Sequence, residues 1–346
     1  MKTKNMKGGT AVYKFILFLL SLLIFSGVFA SCASRGAIQA EEFFSIGMAY
    51  YEMGKFAEAE KWLNRASAMD RTMSASDYNL GRIAFEAGRY TDALRYFNRI
   101  LDKDPDNVLA LKAAAYTHIK NGDLQQATKL YDRILTLIPE SADDGFNYAL
   151  VLYGQEKYPE CETILNKYPI ALEENAASIL LLARAQKAQN KVEAVDTYAK
   201  WLIVNTGTAN PQALYEYAQV LESSGFYARA LEQYKEALTA LEKDTAELTK
   251  SKLRFEQARL LLAVDPANTE GITVLNTAVD EGFKDIDAIE KLLKDERISQ
   301  INRDEIKRIV DGILSKTTKE PGSEEKSAAE EKSGDTESKS EEKEPA

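Results

Sequence analysis

Leu80-Gly81-Arg82-Ile83-Ala84-Phe85-Glu86-Ala87-Gly88-Arg89-Tyr90-Thr91-Asp92-Ala93-Leu94-Arg95-Tyr96-Phe97 reads as two amphipathic helices joined by a tight turn. Leu80, Gly81 and Ala84 share one helical face at spacings of three and four, and Ala93, Phe97 and Ile100 share another. Gly88-Arg89-Tyr90 supplies the turn, since glycine readily takes the left-handed geometry that closes a helix. Asp104-Pro105 ends the second helix, because proline lacks the N–H and disfavours helical geometry in the residue before it.

Worked outward, the same pattern recurs. Small residues run Gly47, Gly81, Ala115, Ala149, Ala183 and Ala218, in four steps of 34 and one of 35. Ala59, Ala93, Ala127, Cys161, Val195 and Ala230 follow the same steps, as do the bulkier Phe56, Tyr90, Leu124, Tyr158, Val192 and Tyr227. Three series in phase over six copies mark a repeat. The small residues let one helix backbone approach another. The turn residue, with Leu63, Phe97, Tyr131 or Tyr234 in the second helix, fills the space beside that crossing. One hairpin cannot cover its own apolar face, so neighbours must stack.

These motifs resemble the tetratricopeptide repeat family over roughly residues 40–240. The resemblance implies an all-α fold, a right-handed superhelical solenoid of antiparallel helix pairs with a C-terminal helical cap. The fourth and fifth copies depart from the pattern, with Cys161 and Val195 in place of the alanine, and the fifth lacks the turn glycine. Residues 245–315 read as a worn seventh hairpin and cap: Leu253, Gln257, Ala258 and Leu261, then Val274, Leu275 and Ala278, then Glu281–Asp285, Asp295–Ile298 and Ile301.

The chain begins with a segment of different character. Lys2, Lys4, Lys7 and Lys14 precede an uncharged run from Phe15 to Phe29, and residues 1–31 contain no acid. That run is the length of a signal-peptide core and short of the roughly 20 residues a spanning helix needs. Phe29-Ala30-Ser31-Cys32 resembles a lipobox, departing from it at Phe29. The resemblance implies cleavage before Cys32 and acylation of its thiol; several acyl chains, at about 0.8 kcal/mol per buried CH₂, hold a protein stably on a membrane. An ordinary secretory signal and an uncleaved helix are the alternatives. The expected organisation is thus 1–31 signal peptide, 32–39 lipidated linker, 40–244 repeat array, 245–315 degenerate repeat and cap, and 316–346 acidic tail. The tail holds ten acids and six lysines with no aromatic or large aliphatic residue, so it buries too little to order itself. It either recruits something or only solubilises.

With a net charge of −10 and no basic stripe, the chain repels phosphate backbones, which argues against a nucleic-acid partner. The single histidine, His118, falls at a helix-packing position and is expected to be buried and hydrogen-bonded. One histidine and two cysteines cannot build standard zinc spacings, so neither metal nor cofactor is expected. Cys161 reads as a small buried hydrophobe. No phosphate-cradling loop or nucleophile elbow is present, which argues against an enzyme.

In this repeat family the first helices line a concave face. By that resemblance, the partner-binding groove comprises Phe44, Tyr51, Tyr78, Arg82, Phe85, Tyr116, Phe146, Tyr153, Arg184 and Tyr215, with Met48, Ile119, Leu150 and Phe255 beside them. The competing reading is that many of these rings pack against neighbouring first helices. The arginines are harder to assign to packing, because an unpaired buried charge is expensive. Such a groove suits a protein or peptide, or an amphiphilic small ligand bearing an acid group. The function classes that follow are a membrane-anchored interaction scaffold in the bacterial cell envelope, facing the periplasm or exterior, and a small-molecule or lipid-binding accessory of a solute transport system. An enzyme with a novel site is third.

Overall fold

The computed structural model describes residues 38–205 and 209–317. The expected signal segment, Cys32 and the tail beyond Thr317 lie outside them. All regular structure among the described residues is helical, in seventeen helices that form two compact units, one running to Val204 and the other starting at Asn205. No described helix is long and apolar enough to cross a membrane.

The first unit is a series of hairpins. Helix α1 (38–52) pairs with α2 (Phe56–Met69), α3 (Ser74–Glu86) with α4 (Tyr90–Lys103), and α5 (Val108–Lys120) with α6 (Leu124–Leu137). Then α7 (Ala142–Gly154) pairs with α8 (Tyr158–Leu165), and after the short α9 (Ala171–Glu174), α10 (Ala176–Ala188) pairs with α11 (Ala194–Val204). From α3 onward each first helix also packs on the second helix of the hairpin before it. Side-chain oxygens of Asn107, Ser141 and Asn175 cap the N-termini of α5, α7 and α10.

Two local devices repeat. The first is the turn. Gly54, Gly88 and Gly122 take positive φ, and so do Glu156 (60°) and Asn190 (55°) at the same point of the fourth and fifth hairpins. Each turn is closed by a bond from the residue after it back to the helix, such as Arg89 N–H to Ala84 O at 2.8 Å and Lys157 N–H to Leu152 O at 2.9 Å. The second device is the close crossing. A Cβ on Gly81 would lie 2.5 Å from the Phe97 ring, and one on Gly47 2.8 Å from Leu63. The core follows from that contact: Leu63, Leu80, Ala93, Phe97 and Ala114 are buried together. So are Ala127, Tyr131, Ala149 and Cys161 in the next cluster.

The fourth hairpin keeps the 34-residue step but has a shortened second helix. Its second helix stops at Leu165, and the chain runs through Tyr168-Pro169 into α9. Tyr168 folds back so that its hydroxyl donates to Pro139 O at 3.0 Å and its ring fills the space where Gly145 has no side chain. The Pro169 ring and the bulk of Tyr168 explain the early stop.

The second unit holds α12 (Pro211–Ser223) paired with α13 (Tyr227–Ala240) and α14 (Lys250–Val264) paired with α15 (Thr269–Asp280), followed by α16 (Ile286–Leu292) and α17 (Gln300–Thr317). The α14, α15 and α17 helices share a core of Leu262, Leu275, Ile306 and Val310, with Phe255 and Phe283 stacked at 4.2 Å. The division between units falls at Val204, inside the span 40–244 read as one array. In the closing segment Ile298 is buried and Ile301 is exposed. Asn302 is the buried neighbour instead, its amide donating to Pro266 O at 3.0 Å. The Arg303 guanidinium ties the bend together through the carbonyls of Leu293, Asp295 and Ile298. Lys316 and Thr317 continue α17 rather than beginning the tail.

Three outcomes test this packing. Gly81→Ala gains roughly 1 kcal/mol of helix propensity but overpacks the crossing by about 1–3 kcal/mol, so chemical denaturation should show a net loss. Glu156→Gly should raise stability by about 0.5–1 kcal/mol, by relieving a left-handed backbone that costs a non-glycine residue about 1–2 kcal/mol, partly offset by glycine's freedom in the unfolded chain. Burial, reinforced by the Glu162 charge, pushes the Cys161 thiol up to about 12. In a Cys32→Ala chain, thiol titration at mildly alkaline pH should therefore find no reactive cysteine until the protein is unfolded.

Candidate functional site

The first-helix face of the first unit is built by the repeat itself. Counted from the small residue of each crossing, the position four residues on carries Tyr51, Phe85, Ile119 and Tyr153. The next residue but four, across the turn, begins the second helix as Phe56, Tyr90, Leu124 and Tyr158. These pairs meet: Tyr51 with Phe56 at 5.4 Å between ring centroids, Phe85 with Tyr90 at 5.6 Å, and Tyr153 with Tyr158 at 5.3 Å.

The position one residue past the crossing reaches the preceding hairpin. The Arg82 guanidinium lies 4.9 Å from the centre of the Tyr51 ring, and the Tyr116 ring lies 5.3 Å from Phe85. Lys120 stands over Tyr116 at 5.3 Å. Arg82 also donates to Asn79 Oδ1 at 3.3 Å. Two runs of contacts, Phe56–Tyr51–Arg82 and Tyr90–Phe85–Tyr116–Lys120, share helix α3 and together make a strip. Arg82 is exposed and Tyr116 is 47% exposed, while Tyr51 and Phe85 are half-buried beneath them. Among the described residues no carboxylate lies within ion-pairing distance of Arg82 or Lys120. The strip therefore offers tilted and edge-to-face rings with two cations, which suits an anionic or aromatic group on a partner.

The remaining candidates fall in different surroundings. Tyr78 packs against Phe97 of its own hairpin at 5.8 Å. Phe44 and Phe146 are half-buried against the clusters beneath them. Leu150 is exposed, and Arg184 and Tyr153 are half-buried and already engaged with neighbours.

Tyr215 and Phe255 belong to the second unit and are buried, at 7% and 5% exposure. Tyr215 lies 5.8 Å from Tyr234 beside an ionic cluster in which Arg259 makes two bonds of 2.6 Å to Glu222 and one of 2.7 Å to Glu256. Burial works against the Arg259 charge, yet the hydrogen bonds and charges of Glu222 and Glu256 hold its pKa above the ordinary value. Burial, then the nearby Glu256 charge, pushes the Tyr215 hydroxyl up to about 12. Arg259 occupies the same place in its hairpin as Arg82, but its charge is spent on neighbours.

Two readings need correction. His118 is only half-buried, and its Nδ1 has no hydrogen-bond partner, standing 3.6 Å from Asp123 Oδ2. Burial lowers its pKa against the pull of Asp123. The turn aromatics, read as filling space beside the crossing, instead form one side of the strip. Their constant offset of five residues from Tyr51, Phe85 and Tyr153 carried that signal. Lys120, not singled out in the sequence, joins Tyr116 because four residues place it one helical turn further along the same face. Among the described residues no group of histidine, cysteine or carboxylate side chains could hold a metal ion.

The tetratricopeptide repeat model matches residues 44–108 and 78–145. A relative from Treponema pallidum (strain Nichols), described as an uncharacterized lipoprotein, is 25% identical over 175 residues, covering 51% of this chain and 89% of its own. A tetratricopeptide repeat protein from Parabacteroides merdae is similar in structure with a TM-score of 0.50 and 19% identity, over 74% of this chain and 98% of that one. Pseudomonas aeruginosa pilF superposes with a TM-score of 0.47 and 17% identity, over 68% and 96% of the two chains. Tetratricopeptide repeats are thus matched in sequence over residues 44–145, and the described hairpins of both units have the fold of a tetratricopeptide-repeat solenoid.

Proposed function

We propose that this protein is a lipid-anchored interaction scaffold of the bacterial cell envelope, held on a membrane through Cys32 and taking a protein or peptide partner on the first-helix face of its first unit. A tetratricopeptide-repeat fold supports a protein-interaction role in general. The observation that carries the specific reading is the strip from Tyr51 to Lys120. Aromatic and arginine side chains concentrate binding energy at protein interfaces, and the rings bury large areas for little lost rotamer freedom. Arg82 is held in place by Tyr51 and Asn79, so part of the ordering cost is met before a partner arrives. The anchor rests on Phe29-Ala30-Ser31-Cys32 and the apolar run before it, and the Treponema pallidum relative is itself described as a lipoprotein. A scaffold of this kind needs two attachments, one to the membrane and one to its partner.

The test is a comparison of detergent-extracted full-length protein with Arg82→Ala/Tyr116→Ala and Cys32→Ala chains, with bound proteins quantified by mass spectrometry. Both strip residues lie at the surface, so the double variant should unfold within about 1 kcal/mol of wild type. It should lose the specific partner by tenfold or more, as expected for two interface residues worth more than about 1 kcal/mol each. Cys32→Ala should leave the membrane fraction. Undiminished capture by the strip variant contradicts the binding assignment, and retention of Cys32→Ala on membranes contradicts the anchor.

A further inference from the structure

The first hairpin has an uncovered edge. From α3 onward in the first unit, each first helix is enclosed by a second helix on either side, and the residue before its small residue is buried: Leu80, Ala114, Tyr148 and Leu182. In α1 the equivalent residue is Ile46, which is 38% exposed. Two residues past the crossing, Ile83, Thr117, Val151 and Ala185 are buried, whereas Ala49 is exposed. Ile38 and Met53 extend the open face to both ends of the helix, at 57% and 58% exposure.

The neighbouring side chains carry the edge onto α2. Where the second hairpin has the buried Asp77, paired with Arg99 and Lys103, the first has Phe43. Its ring lies 5.6 Å from Trp62, and Arg65 stands 4.6 Å over the Trp62 ring. Trp62 is half-buried, as its equivalent Leu130 is, while the equivalents Tyr96, Ile164 and Tyr198 are buried.

We infer that this edge, formed by Ile38, Phe43, Ile46, Met53 and Trp62, docks on the lipid surface that holds the anchor. The inference rests on the reading of Cys32 as the acylated residue. Only Ala33–Ala37 separate Cys32 from Ile38, and six chain steps span at most about 20 Å. The open edge is therefore confined next to the headgroups, and tethering makes the contact intramolecular, so a small apolar area suffices. Isoleucine, methionine and phenylalanine enter the boundary of the acyl region, tryptophan sits at headgroup depth, and Arg65 reaches back to the water with its charge. Glu42, on the same face, keeps its carboxylate at the headgroup level. Docking here leaves the strip from Tyr51 to Lys120 on another side of the same helices.

The chain provides its own reporter, since Trp62 and Trp201 are its two tryptophans and Trp201 is buried. Purified lipidated full-length protein, as wild type and as Trp201→Phe, would be reconstituted into phosphatidylcholine vesicles brominated near the top of one acyl chain. The proposal expects floated protein to lose most of its Trp62 emission relative to unbrominated vesicles. Ile38→Ser/Ile46→Ser/Met53→Ser should float equally and keep that emission. A chain that does not float overturns the anchor reading and this inference with it. A chain that floats with unquenched Trp62, or a serine variant quenched as strongly as wild type, overturns the docking alone. So does efficient disulfide pairing of floated Ile46→Cys chains, which would assign the edge to a second copy.

Discussion

The contact on which everything else depends is the crossing of each first helix over its own second helix. At Gly47 and Gly81 no side chain fits between the helices, because Leu63 and Phe97 occupy the space a Cβ would need. Helices this close bury a ring or a leucine completely, and protein interiors tolerate little slack at such points. The positive-φ turn fixes where the second helix begins relative to the first. Crossing and turn together set the register of each hairpin, so equivalent positions take the same place along their helices from one copy to the next.

That register produces the candidate site without any further device. The residue one past the crossing falls beside the residue four past the crossing of the hairpin before. In the first unit the occupants make Arg82 over Tyr51 and Tyr116 on Phe85, and the pairs remain at the surface. In the second unit the same relation brings Arg259 to Glu222, where the charges satisfy one another among buried tyrosines. One geometry thus leaves an exposed strip in one place and makes an internal lock in another. What decides between them is whether a carboxylate or a ring is the neighbour. The register also explains the open edge of α1, the one first helix among the described residues of the first unit with no second helix packed ahead of it.

Much of this was legible in the sequence because periodicity reports on contacts between equivalent positions. The series through Gly81, Ala93 and Tyr90 located the helices, the crossings and the turns. What periodicity could not report was content that differs from copy to copy. Tyr168 and Pro169 break the fourth hairpin through a contact with Gly145 and Pro139 that has no counterpart elsewhere. Tyr215 and Phe255 occupy groove positions by count but are enclosed by residues near them only in space. At the start of α17 Ile301 is exposed and Asn302 buried, and the carbonyls that bind Asn302 and Arg303 come from residues scattered along the chain.

The most direct test of the account places a photo-crosslinking amino acid at position 116, in the middle of the strip, and a control at position 95 on the exposed side of α4, in full-length protein in its native membrane. Irradiation should give one discrete protein adduct from position 116 and none of that size from position 95. Adducts of the same identity and yield from both positions, or a lipid adduct alone from position 116, would contradict the assignment of this face to a protein partner.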